Sequence, residues 1–156
     1  MHPTNIRLQR LILGFWAGWY LLIVASNVCD AARALGWLPA GWRFTSGNLD
    51  AVRRATAIYG LGESLVAILF AAVVLWEFAA LVAFVAAALR QGRTGDGWSA
   101  AGRAFLVSLG LWAAFILADE LFVTFPTGIE GTHLRIFTAQ LVSLLAVWSL
   151  DARTGA

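Results

Sequence analysis

Asp119 and Glu120 stand side by side in the run Phe115-Ile-Leu-Ala-Asp-Glu-Leu-Phe-Val123, whose other members are all apolar. A carboxylate inside a membrane span costs about 3 kcal/mol on the insertion scale, so such groups face a bundle interior and pair there. Neighbours on a helix diverge by about 100°, so only one of the two can point squarely inward. Partners are close in sequence: His133 and Arg135 follow the next turn. Further polar residues come in pairs that share a helix face, Asn27 with Asp30 and Tyr59 with Glu63. Glu77 lies fourteen residues beyond Glu63 and on nearly the same face, as a separate buried acid. Along a continuous helix that spacing places it about 21 Å deeper.

This collection suggests three kinds of chemistry, and all three stay open at this point. The acids can lie at headgroup depth in contact with water. They can form a stabilising network with Arg135. Or they can hold protons or a metal ion, since four carboxylates face one Arg and one His. Glu77 itself reads as a protonated acid hydrogen-bonded to a neighbouring helix, or as a group that carries protons. Glu130-Gly-Thr-His133 has the Glu-x-x-His spacing of di-iron carboxylate bundles, but those sites use two such motifs. The other histidine, His2, stands at the N-terminus. No P-loop, dinucleotide fingerprint, nucleophile elbow or haem-spaced histidine pair is present, so the residues assign no catalytic group. Cofactor and metal stay unknown.

The elements that must hold these residues are membrane helices. Hydrophobic residues make up 60% of the 156 and charged residues 13%, with a mean hydropathy of +0.77. Soluble domains carry about 25% charged residues. A spanning helix needs roughly 20 mostly apolar residues. That rule predicts spans at about 11–29, 58–89, 104–125 and 133–150, the second as one long helix with an exposed first part. The fold class expected is all-α, an integral membrane four-helix up-down bundle forming one domain. Residues 31–54 form its aromatic loop, where Gly36, Pro39, Gly41 and Gly47 break the helix. Trp37, Trp42 and Phe44 suit the headgroup zone. The stretch 90–103 reads as a polar, Gly-rich loop, with Gly131 marking a turn into the last helix.

In that topology the end of helix one, the start of two, the end of three and the start of four share one membrane side. Asn27, Asp30, Tyr59, Glu63, Asp119, Glu120, His133 and Arg135 then gather at one level. Glu120 or Asp119 is expected within reach of Arg135 or His133, with Glu63 and Asp30 nearby. Gly14-x-x-x-Gly18 matches a close-packing helix motif, and Ser64 lies on another small-residue face.

All eleven basic residues other than histidine are Arg, scattered along the chain, which fits a GC-rich bacterial coding sequence and gives no nucleic-acid footprint. Arg counts lean toward both termini in the cytoplasm. Arg7 and Arg10 ahead of an apolar run ending Val24-Ala25-Ser26 also outline a secretory signal, against which stand Gly14, Trp16, Trp19 and Tyr20. The single Cys29 excludes an internal disulfide and reads as a small packing residue.

Asn27-Val-Cys-Asp30, Tyr59-Gly-Leu-Gly-Glu63, the segment Ala118-Asp-Glu-Leu-Phe122 and the four-span plan together resemble a bacterial family of small integral membrane proteins of unknown function. The resemblance implies a fold plan and no activity. The expected role is a non-enzymatic accessory or structural subunit of the bacterial inner membrane. Such a subunit sits in the lipid bilayer and packs against other membrane proteins or itself. The alternative is a proton- or cation-handling carrier that uses the acidic cluster and Glu77.

Overall fold

The computed structural model describes residues 3–92, 97–123 and 128–152. Five α-helices account for most of them: α1 (Pro3–Ala34), α2 (Asn48–Thr56), α3 (Glu63–Arg90), α4 (Gly97–Leu121) and α5 (Ile129–Ala152). Four of these, all but the short α2, are long and apolar enough to cross a membrane. The long helices carry no sustained polar face. Leu11, Leu22, Ile68, Leu75, Leu106, Leu117, Val142 and Leu145 all point outward, as expected when the surroundings are lipid.

Each long helix packs antiparallel on the next, α1 on α3, α3 on α4 and α4 on α5, and α5 returns to α1. The Asn5 amide donates to the Leu150 carbonyl at 3.2 Å, so residues 5 and 150 lie at the same end of the bundle. The core is built from Leu13, Trp16, Tyr20, Phe84, Phe105 and Leu111, with Ala80, Ala87, Ala101 and Ala104 filling the close approaches. Tyr20 and Phe84 stack with centroids 5.9 Å apart, and Phe105 meets Phe84 edge-on at 5.1 Å. Small residues let helix backbones approach, and dispersion between large rings holds them there.

Several boundaries differ from the sequence expectation. α1 runs from Pro3 to Ala34 rather than 11–29, because apolar run length marks only the lipid-crossing part, while the polar end turns stay helical and find partners. Asn5 and Gln9 bond to α5, and Asp30 bonds to α2. The expected second helix, 58–89, is present but begins only at Glu63 and runs to Arg90. α2 ends in a 3-10 turn, Ala57–Tyr59, after which Gly60 adopts the left-handed conformation (φ 62°) and Gly62 is extended. Two glycines in three residues cost the helix too much to continue. Residues 48–56, expected largely as loop, form the amphipathic α2.

Ser99 to Arg103 are helical rather than looped, and Gly131 lies inside α5, which begins a turn earlier than expected. α4 stops at Leu121, and the expected stop at Pro126 lies outside the described residues, as do His2, Arg93 and Arg153.

Candidate functional site

Helix ends that are not flush create the polar end of the bundle. Asn27 lies seven residues before the end of α1 and faces Glu77, fourteen residues after the start of α3. By that count α3 runs past α1 by seven residues, about 10 Å. α2 fills the step, packing on both helices. It has no side-chain cap of its own, since its N-cap is Gly47. Asp30 of α1 supplies one: its Oδ2 accepts from the Leu49 amide at 3.0 Å and from Ser46 Oγ at 3.2 Å, while Oδ1 accepts from Arg33 at 3.0 Å. A carboxylate there satisfies orphan amides and complements the helix dipole. At the far end of α2, Arg53 forks onto Glu63 with Nε and Nη2 each at 2.9 Å, and also engages Asp50. The Glu63 carboxylate pushes the Arg53 guanidinium further above its already high ordinary pKa. Exposed pairs of this kind contribute little energy, but the fork fixes orientation.

Beneath α2, Asn27 Nδ2 donates to Glu77 Oε2 at 2.6 Å, and Asn27 Oδ1 accepts from Asn48 Nδ2 at 2.9 Å. Glu77 is 4% exposed. Among the described residues no arginine or histidine forms an ion pair with it. The sequence placed Glu77 apart from the helix-end residues; the structure joins it to Asn27, because the helices overlap out of step.

On the α4–α5 side, His133 Nδ1 meets Asp119 Oδ2 at 2.6 Å. The imidazole stacks on Phe115 with centroids 5.0 Å apart and lies 5.7 Å from Trp112. Of the acids expected to turn inward, Asp119 does so and Glu120 is exposed. Of its expected partners, His133 is used and Arg135 is exposed. Adjacent residues cannot share a face, so the choice of Asp119 sends Glu120 out. Tyr59, also exposed, donates its hydroxyl to the Leu121 carbonyl at 2.7 Å, tying the glycine turn to the end of α4. Glu63 and Asp30 belong to the α2 groups rather than to the Asp119–His133 pair. The expected single cluster is therefore several separate sets, each with its own partners. Among the described residues no three of His, Cys, Asp or Glu lie close enough to hold a metal ion.

Two buried networks were not foreseen from the sequence. Midway through the bundle, Trp112 Nε1 donates to the Tyr20 hydroxyl at 2.9 Å, and Ser108 donates to Gln140 Oε1. Because the Ser108 proton is thus engaged, the 2.5 Å contact between Tyr20 and Ser108 has Tyr20 as donor. One directed chain joins α1, α4 and α5, and each bond in it polarises the next. Nearer the terminal end, Gln91 Nε2 donates to Gln9 Oε1 at 2.5 Å and Gln9 Nε2 to the Val147 carbonyl at 3.0 Å. Arg10 covers the Gln91 carbonyl at 2.6 Å. Ser108 and Gln140 within apolar runs were the available signal for the first network; Gln9 and Gln91 lie at the polar flanks of such runs.

Gly14 and Gly18 are exposed, and a Cβ at either would meet nothing within 4 Å. Ser64 is exposed too. These small residues do not pack helices within this chain, because the inward stripe of α1 is Gln9, Leu13, Trp16, Tyr20 and Asn27.

The fold and its polar interior define a four-span helical membrane protein. Scans against protein-family models, curated proteins and solved structures return no match.

Proposed function

We propose that this chain is a non-enzymatic subunit of a membrane assembly, resident in a bacterial inner membrane with both termini in the cytoplasm. The observation that carries this reading is the outward position of Gly14 and Gly18, a close-packing motif with open space above it. Inside the bundle, side-chain hydrogen bonds link α1 to α3, α4 and α5, which favours a fixed register of the four helices. An outward Gly-x-x-x-Gly face lets another helix backbone approach closely, where van der Waals contact drives association in lipid.

Gly14→Leu/Gly18→Leu tests it with little disturbance to the chain itself. The double variant should keep the parent's thermal midpoint and lose a stoichiometric partner, or a second copy, on purification in mild detergent. A parent that runs alone, or a variant that keeps its partner, overturns the reading.

Glu77, buried and in no ion pair among the described residues, favours a second reading as a proton- or cation-handling carrier. Reconstituted liposomes would then dissipate an imposed pH or cation gradient, and Glu77→Gln would abolish that flux.

A further inference from the structure

The end of α1 and the facing side of α2 do not meet completely. A half-open surface cavity of about 270 Å³ lies between them, lined by Asp30, Arg33, Ala34, Leu49, Asp50 and Arg53. A water molecule's share of liquid volume is about 30 Å³, so the space suits a small polar headgroup. Its formal lining charge sums to zero, two Asp against two Arg.

The commitments of those four charges differ. Asp30 is used three times, and Arg53 gives its fork to Glu63 and Asp50. Arg33 directs a single nitrogen, Nη2, to Asp30, and a guanidinium has five donors. Among the described residues, Asp50 accepts at Oδ1, from Arg53. Among those residues, the lining therefore holds one guanidinium with donors beyond its bond to Asp30 and one carboxylate with an oxygen beyond its bond to Arg53.

We propose that this cavity binds the headgroup of an aminophospholipid, its phosphate on Arg33 and its primary ammonium on Asp50. A guanidinium edge matches phosphate oxygens in geometry and charge. A lining of zero net charge gives an anion without an amine no advantage. A quaternary ammonium has no N–H to donate to Asp50. Location selects a lipid over a dissolved zwitterion: the adjoining loop exposes Trp37, Trp42 and Phe44, side chains that settle at headgroup depth.

The test is native mass spectrometry of the full chain, equilibrated in mixed micelles with equal amounts of phosphatidylethanolamine, phosphatidylcholine and phosphatidylglycerol of matched chains. One phosphatidylethanolamine should be retained, with a preference of about tenfold. Asp50→Asn, at an exposed position, should erase the preference. Arg33→Lys, which keeps the charge beside Asp30 but loses the fork, should weaken it. Arg135→Gln, exposed on α5, should leave it unchanged.

Added phosphoethanolamine separates the sources. Displacement of the adduct shows that the headgroup suffices, and persistence shows that the acyl chains contribute; either supports the site. Equal retention of the three lipids, a preference for phosphatidylglycerol or phosphatidylcholine, or full retention in Asp50→Asn and Arg33→Lys overturns it.

Discussion

Replacing Asn27 by valine should destabilise the bundle by about 1–3 kcal/mol, and removing Glu77 as well should restore part of that loss. Asn27 has two bonds, a buried one donated to Glu77 at 2.6 Å and a partly buried one accepted from Asn48 at 2.9 Å. Interhelical hydrogen bonds in a membrane protein average about 0.6 kcal/mol and reach about 1.7 kcal/mol, so two give about 1.2 to about 3.4 kcal/mol. A buried polar group left unpaired costs about 1–3 kcal/mol by itself. That cost is what the second substitution removes. Asn27→Val/Glu77→Leu exchanges the pair for apolar groups of similar size, and buried polar pairs replaced whole are often neutral. The coupling between the two sites should therefore be about 1 kcal/mol or more, in the range for residues in direct contact. Unfolding of detergent-solubilised protein by increasing dodecyl sulfate, followed through helix content, measures all four members of the cycle. Additive losses, with the double variant the least stable, would refute the idea that Asn27 compensates the acid. A single variant that unfolds with the parent would refute the bond itself.

Tyr20→Phe should cost about 1–2 kcal/mol in the same assay, the penalty of a buried donor left unmatched. It leaves the Trp112 N–H without its acceptor and cuts the chain to Ser108. Asp119→Asn or His133→Phe should each destabilise the outer ends of α4 and α5, seen as faster proteolysis there, whereas Glu120→Gln should leave proteolysis as in the parent. Gly92→Ala should destabilise by about 1–2 kcal/mol, the penalty for a side chain in the left-handed region. Gly92 has φ 84°, and a Cβ there would stand 2.9 Å from Ile6 Cγ2. By contrast, Gly102→Ala in α4 should stabilise by up to about 1 kcal/mol on helix propensity. Its Cβ would meet nothing within 4 Å.

The four spans were legible because lipid leaves a long apolar run no alternative: every backbone group must be bonded within the helix. Their inward faces were not legible, since a membrane helix is apolar all round and periodicity fails. Asp119 and Glu120 show this best. Apolar runs on both sides announced the cost of the pair, but only helix rotation, set by packing of α4 on α3 and α5, chose which acid met His133. Glu77 shows the second reason. Its depth along α3 was countable, yet its partner depended on how far α3 slides past α1, and run length says nothing of sliding.

By itself, then, the sequence determined the number of long helices, their antiparallel order and the stock of polar residues that had to find partners. Tertiary structure decided the axial register of α1 on α3. That register made the step filled by α2, put Asp30 at the α2 N-terminus and set Asn27 against Glu77. It also turned Gly14 and Gly18 outward, because the large residues Trp16 and Tyr20 took the inward stripe of α1. Register and rotation are set by side-chain volumes meeting across helices, and those meetings exist only once the chain is packed.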